Sequence, residues 1–403
     1  MADTTAFSGQ QLREWKSRLE SDSRNPVNTD DLFNQLPSGI RIAPVYDAAS
    51  FSEEHAYLRE FHAEWKRQKP DWKPLLMASS VVCGEFSEKE TAEAEKTGIA
   101  GWCGSFIPAG HRLPADDVLA GDPVTSCLCQ GKMLPSLEAL KSGRIPAKLH
   151  LHSASFHQAG ANEAEDLAYC LLLADYYSGL SEQQGRKLPE FTLHLAAGPQ
   201  FFLEIARLRA LRLLWMNWNH RSGRGKSCGT IQSESSLIYW SKTDPDSNLL
   251  RHTSSALAAI AGGADSLLIH PHTLDAAEGV NAIRLAADIG HLALEEARMK
   301  NSFDPGSGSY LIEMLTHELA KKAWALFCEW RESPMEELMK SGFFVDLAQN
   351  GADRLKSCYA EGKIILTGVN RHPSALSRPC PAYPLTIPEE TEFKALRPVF
   401  LDA

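Results

Sequence analysis

The sequence predicts an α/β fold: a (β/α)8 TIM barrel over residues 47–372, an N-terminal helical arm and linker over 1–46, and a proline-rich C-terminal tail over 373–403. Three observations predict it. Eight short apolar segments alternate with helical or loop material, the pattern of a barrel. The stretch from Asp244 to His270 spells out one such unit: a helix started by Asp244-Pro245, a Gly262-Gly263 stop, and the apolar run Leu267 to Ile269, which suits a strand buried on both faces of a parallel sheet. After Asn370 the composition shifts to Pro373, Pro379, Pro381, Pro384 and Pro388, marking an extended linker poor in core residues.

Taken in order, Gln10 to Ser21 places Leu12, Trp15 and Leu19 on one stripe of an amphipathic helix. A helix this short needs a surface to pack on, either its own barrel or a partner subunit. Leu36 to Tyr46, punctuated by Pro37, Gly39 and Pro44, leads into the barrel. Strand cores are expected at Leu75 to Cys83, Ile99 to Phe106, Val124 to Cys129, Lys148 to Ser155, Phe191 to Ala197, Ser227 to Glu234, Asp265 to His270 and Lys363 to Thr367. Asn162-Glu-Ala-Glu165 forms an N-cap with glutamate at the third helical position, ahead of the buried stripe Leu167, Ala168, Leu171 and Leu172. In the helix after Asp244-Pro245, the buried face is Leu250, Ala256, Leu257, Ile260 and Ala261. Three helices are expected after the seventh strand, one carrying Leu319, Ala323, Trp324, Phe327 and Trp330 as core.

Composition removes several function classes. A formal net charge of -10 argues against a nucleic-acid partner, because phosphate binding needs concentrated positive charge. No apolar run is long enough to span a bilayer, and Met1-Ala-Asp-Thr-Thr lacks a basic segment followed by an apolar core, so a cytoplasmic protein is expected. The nine cysteines include no Cys-x-x-Cys, which points to free, mostly buried thiols.

Two patterns compete for chemistry. His150-Leu-His152, His194 and His270-Pro-His272 fall on expected strands, and His-x-His on one strand face is a metal-ligand arrangement. A metal at His150, His152 and His194 would make the chain an autonomous barrel metalloenzyme. Against this, the first pair precedes its strand's carboxyl end and no acidic ligand closes the eighth strand, so hydrogen-bonded core histidines are preferred. Ser222-Gly-Arg-Gly-Lys-Ser227 has the look of a phosphate loop. However, His220 stands where the first glycine is needed, and strand rather than helix follows, so a solvated basic loop is expected. Asp116, Asp117, Glu295 and Glu296 show no acid/base pairing beyond surface charge.

Asn248-Leu-Leu-Arg251, Gly262-Gly-Ala-Asp-Ser266 and Asp304-Pro-Gly-Ser-Gly-Ser-Tyr310 with Glu313 together resemble the barrel domain of the cobalamin-dependent acyl-CoA mutases, specifically the methylmalonyl-CoA mutase family. Phe202 to Trp215, Ala159-Gly-Ala-Asn162 and Gly368-Val-Asn370 add to the likeness, which spans roughly residues 150 to 370 in the family's order. The resemblance implies a first-strand tyrosine and a fourth-strand histidine for radical chemistry. Aligned on Trp72, the tyrosine position holds Met77; aligned on Ala159 to Asn162, the histidine position holds Ser155. Methionine cannot donate a hydrogen bond, and serine is too short to reach the same point.

The family threads coenzyme A through its barrel, lined by small hydroxyl residues. Here Leu149-His-Leu-His152 and Phe191-Thr-Leu-His194 alternate with period two, so large groups face inward whichever set does so, and a plugged barrel is expected. The Asp-x-His-x-x-Gly cobalt-ligating motif occurs nowhere in the sequence. The resemblance therefore implies a small, non-catalytic subunit with no cofactor of its own, partnered by a large subunit that holds adenosylcobalamin and is gripped by Leu12, Trp15 and Leu19 of the arm. The other mutase expectation is a barrel working with a cobalamin domain on a separate chain, which needs an open axis.

Overall fold

A computed structural model describes residues 9–21, 28–46, 50, 55–69, 74–79, 102–103, 122–142, 148–225, 227–273, 275, 279–373, 379–381 and 391–401. A small antiparallel pair, β1 (Asn34–Gln35) and β2 (Arg41–Ile42), precedes the main sheet. That sheet is wholly parallel and built from β3 (Leu75–Ser79), β4 (Trp102–Cys103), β5 (Lys148–His152), β6 (Glu190–Ala197), β7 (Thr230–Ser235) and β8 (Ser266–Ile269), in the order β4-β3-β8-β7-β6-β5. Among the described residues, β4 and β5 are open edges and no pairing closes the sheet.

Helices flank this sheet: α1 (Gly9–Ser21), α2 (Tyr57–Gln68), α3 (Pro123–Gln130), α4 (Pro135–Lys141), α5 (Ser153–Gln158), α6 (Glu163–Gln183), α7 (Phe201–Arg221), α8 (Asp246–Ala261), α9 (Gly279–His291), α10 (Tyr310–Trp330), α11 (Met335–Lys340) and α12 (Phe343–Ala360). The main core lies between sheet and helices, where Leu149, Leu151, Leu193, Leu195, Ile231 and Leu267 meet Leu167, Leu171, Leu208, Leu211 and Phe327. Period-two alternation then places His150, His152, His194, Gln232 and Glu234 on the opposite, inner face. The leucines turn outward and the histidines inward.

Several expectations need correction. Val124 to Cys129 is helix α3, not a strand: Asp122 caps it by accepting from the Val124 and Thr125 amides, Pro123 starts it, and left-handed Gly131 ends it. Lys363 to Thr367 is a turn with a single bridge, Thr367 to Arg371. There the Asn370 amide accepts from Leu366 N and donates to Ile364 O, capturing backbone groups that a strand would use. The expected fourth strand core, Lys148 to Ser155, ends at His152 as β5, and Ser153 to Ser155 open α5. Among the described residues, four α-helices follow β8 where three were expected. Leu250 is 71% exposed and Leu257 half-buried, so the buried apolar face of α8 is carried by Ala256, Ile260 and Ala261.

The Asn162 capping box is present, and so is the Gly262-Gly263 stop, with Gly263 at φ 87. Of the tail, residues 391–401 bury Leu396, Val399 and Leu401, which proline content alone does not reveal. Val81 to Cys83, most of Ile99 to Phe106, Asp116 and Asp117 lie outside the described residues.

Candidate functional site

The inner face gathers the polar side chains that the sequence scatters. In register, His152 stands beside His194 and His194 beside Gln232, while Ala196 pairs with Glu234. Glu234 is the centre. His194 Nε2 donates to its Oε2 at 3.1 Å, Gln158 Nε2 donates to its Oε1 at 3.1 Å, and His270 Nε2 lies 3.9 Å from Oε2. The His152 and His194 rings are 4.1 Å apart, and His150 is 6.3 Å from His194. Burial opposes ionisation of Glu234, but the His194 hydrogen bond and neighbouring imidazoles outweigh it and hold this carboxyl below the usual range. With the carboxylate as acceptor, His194 carries its proton on Nε2. Burial pushes His150 down to about 4 and His152 well below the ordinary value, the His194 charge adding to both, so these two rings are neutral.

A second network lies behind the first. Fully buried Arg207 donates to Asp166 Oδ2 at 2.9 Å and Glu204 Oε2 at 2.9 Å, and also to the carbonyl of Ala196 at the end of β6. Its Nη1 also meets His157 Nδ1 at 3.3 Å, leaving Nε2 of that ring to face Ser236 Oγ at 3.3 Å. Burial raises Asp166 to about 7 against the pull of Arg207, and it raises Glu204 as well.

The Glu234–His194 pair has the composition of an acid/base dyad, but the two residues are only 1% and 0% exposed. A general base must come within hydrogen-bond reach of its substrate. Nothing from solvent reaches this one. No group of three His, Cys, Asp or Glu side chains among the described residues is placed to hold a metal ion. Of the three strand histidines, His152 and His194 lie ring against ring, His194 Nε2 is committed to Glu234, and His150 stands farther off.

Ser155 is 1% exposed on α5, its Oγ 3.4 Å from His152 Nδ1. Met77 lies on β3 opposite Leu268 in register. In the arm, Trp15 and Leu19 are half-buried; Trp15 shares a cavity of about 200 Å3 with Phe33, Pro44 and Val45 of its own chain. Leu12 lies on α1. The basic loop near Gly225 stacks Arg224 on Trp218 and pairs it with Glu182 at 2.5 Å. Cys127, Cys170 and Cys228 are free and buried, whereas Cys129, Cys358 and Cys380 are free and half-buried and Cys328 is free and exposed, so burial is less general than expected. Glu234, Gln158 and Gln232 were not singled out from the sequence. The signal for Gln232 and Glu234 was the period-two spacing of Thr230, Gln232 and Glu234, which places them on the face of the strand histidines.

The motifs that carry the resemblance prove to be structural pins. Asp304 and Glu313 clamp the fully buried Arg209: Nε to Asp304 Oδ1 is 2.8 Å and Nη2 to Glu313 Oε1 is 3.0 Å. Asp265 of the Gly262-Gly-Ala-Asp run accepts from Arg212 at 3.0 Å and from Ile231 N at 2.8 Å, and pairs with Lys69. Asn248 donates to the carbonyls of Ser241 and His272, both at 2.8 Å, tying together the loops after β7 and β8. Gly368, at φ 85, lies so close to Asp244 that a Cβ there would collide with its carboxylate.

A model of the family described as methylmalonyl-CoA mutase matches residues 147–394, the segment that holds all of these pins except Lys69. The chain belongs to the methylmalonyl-CoA mutase family. Among its relatives is a protein named probable methylmalonyl-CoA mutase small subunit from Mycobacterium bovis, 29% identical over 293 residues, 66% of this chain and 46% of the relative. A methylmalonyl-CoA mutase small subunit from Streptomyces virginiae is 32% identical over 261 residues, 62% of this chain and 40% of the relative. The Escherichia coli methylmalonyl-CoA mutase is 28% identical over 254 residues, 60% of this chain and 35% of the relative. The chain thus spans less than half the length of these relatives.

Mutases of this family are associated with adenosylcobalamin, and in parallel α/β folds a cofactor works at the carboxyl ends of the strands. The residues described there do not fit a corrin. Gln158 and Ile238, at the loops after β5 and β7, are bonded through their carbonyls to Val399 and Leu401 of the chain's own tail, and both tail residues are buried.

Proposed function

We propose that this chain is the small, non-catalytic subunit of a heterodimeric methylmalonyl-CoA mutase in the cytoplasm, its six parallel strands forming part of a (β/α)8 barrel. The partner is a large subunit that holds adenosylcobalamin and interconverts methylmalonyl-CoA and succinyl-CoA by radical rearrangement. The observation that carries this reading is the inner face of the sheet. An acyl-CoA mutase needs a channel along it, and here His152, His194, Gln232, Glu234 and His270 are buried, with Glu234 bonded to both His194 and Gln158. Met77 and Ser155 stand at the family's tyrosine and histidine positions, and neither replaces those groups chemically. The half-exposed Trp15 and Leu19 of α1, with Leu12 one turn earlier, offer the arm's contribution to a subunit interface.

Co-purification with the candidate large subunit, assayed with adenosylcobalamin and methylmalonyl-CoA beside each chain alone, tests the reading. Turnover by the pair, with none from this chain alone, is expected. Absence of a complex, or turnover when this chain is mixed only with an isolated cobalamin-binding chain, would overturn it.

A further inference from the structure

The described end of the tail crosses the carboxyl side of the sheet rather than leaving it. Glu392 N and Phe393 N donate to Gly131 O at 2.7 and 3.0 Å, Leu396 N to Leu128 O at 2.9 Å, Val399 N to Gln158 O at 2.7 Å, and Leu401 N to Ile238 O at 3.3 Å. Arg397 Nη1 adds a bond to Cys129 O at 3.1 Å. These acceptors lie at the end of α3, at the end of α5 behind β5, and in the loop behind β7. Leu396, Val399 and Leu401 are 1%, 5% and 7% exposed, so the segment is seated and not merely adjacent. Its seat is shaped for close approach, since a Cβ on Gly131 would stand 2.8 Å from Phe393 O.

One residue joins this strap to the interior. The Gln158 carbonyl holds Val399, while its side chain donates to Glu234 and accepts from Leu237 N at 2.8 Å. We propose that Thr391–Leu401 is a lid that seals the His152–His194–Glu234 cluster, with Gln158 as the latch between lid and cluster. Release of the strap frees the α5 end and opens Glu234 and its hydrogen-bonded His194 to solvent. This holds whether or not the chain is a mutase subunit.

Histidine labelling with diethyl pyrocarbonate, read by peptide mass spectrometry on the full chain, tests the lid. Exposed His220 serves as the reactive reference, and buried His317 on α10 reports the intact fold. In the wild type, His152 and His194 are expected to label at least about tenfold more slowly than His220. In Leu396→Asp/Val399→Asp their labelling should rise about tenfold while His317 stays protected. Equal labelling of His152 and His194 in variant and wild type, or wild-type labelling already at the His220 rate, overturns the proposal. If the double variant exposes His317 as well, the milder Arg397→Ala, which loosens the strap without placing charge in the core, decides between the same two readings.

Discussion

Arg209→Ala removes the cation that holds the Asp304-to-Glu313 turn, and its cost can be worked from the contacts. Arg209, Asp304 and Glu313 are all buried, and the guanidinium also donates to Thr316 Oγ1 at 3.1 Å. Without it, two carboxylates face each other away from water, with His62 at 2.8 Å from Asp304 as the remaining imidazole partner. Breaking a buried ion pair by deleting one partner costs about 3–5 kcal/mol, because the stranded charge keeps its desolvation penalty. Asp304 adds to this: it is a non-glycine residue at φ 44, a conformation that survives only while its surroundings enforce it. Against a total stability of about 5–15 kcal/mol, such a loss should move the urea midpoint far to the left. The control is Arg284→Ala, which breaks the half-exposed pair with Asp288 and should cost about 0.5 kcal/mol or less. Tryptophan fluorescence against urea measures both. A stability for Arg209→Ala within about 1 kcal/mol of wild type would refute the assignment of this motif as a pin.

Three other perturbations probe the interior. The folded pKa of Asp166 is raised to about 7 by burial, so its contribution to stability is full below the unfolded value near 4 and is lost as pH rises toward 7. Asp166→Asn should therefore lose about 4 kcal/mol less than wild type between about pH 4 and pH 8; parallel profiles of urea midpoint against pH would contradict this. Glu234→Gln takes the acceptor charge from His194 and should cost about 2–4 kcal/mol, measured by urea unfolding at neutral pH; an unchanged midpoint would show that the pair contributes nothing. Gly263→Ala places a methyl group against the Trp65 ring at φ 87 and should destabilise by more than about 2 kcal/mol, whereas Gly179→Ala, inside α6 with open space around it, should stabilise by about 0.5–1 kcal/mol. Thermal midpoints moving in the same direction for both would sink the distinction.

Local chemistry made much of this fold legible. The Asn162 capping box, the Gly262-Gly263 stop and the alternation of Leu149 to His152 are short-range patterns, and each forms as the spacing predicts. Two strand expectations failed where side chains captured the backbone. Asp122 and Pro123 turn an apolar run into α3, and the Asn370 amide folds Ile364 and Leu366 into a turn. The alternation also left undecided which set faced inward, because leucine and histidine both fill a core. That choice depends on the helices packed outside, which period-two spacing does not encode. Leu396, Val399 and Leu401 were hidden for a different reason: proline-rich composition signals an extended chain, and an extended chain packs well when it finds a groove of open carbonyls.

Helix α7 shows what the family motifs hold in place. Its sequence places Arg207, Arg209 and Arg212 within two turns, which a reading of exposed charge would assign to a solvated face. All three are fully buried, and they point to different neighbours because α7 lies among α6, α8 and α10. Arg207 binds the end of β6 and Asp166 of α6. Arg209 binds the Asp304 turn and Glu313 of α10. Arg212 binds the Cys228 carbonyl before β7 and Asp265 before β8, with Trp65 of α2 stacked on its guanidinium 4.8 Å away. Arg207 is held by carboxylates on α6 and α7 themselves, whereas Arg209 and Arg212 are stable in the core because Asp304 and Asp265 are fixed by turns of defined shape. The Gly262-Gly-Ala-Asp and Asp304-Pro-Gly-Ser-Gly runs are those turns. The motifs thus set the charges of one helix, on the opposite side of the sheet from the His152–His194–Glu234 cluster.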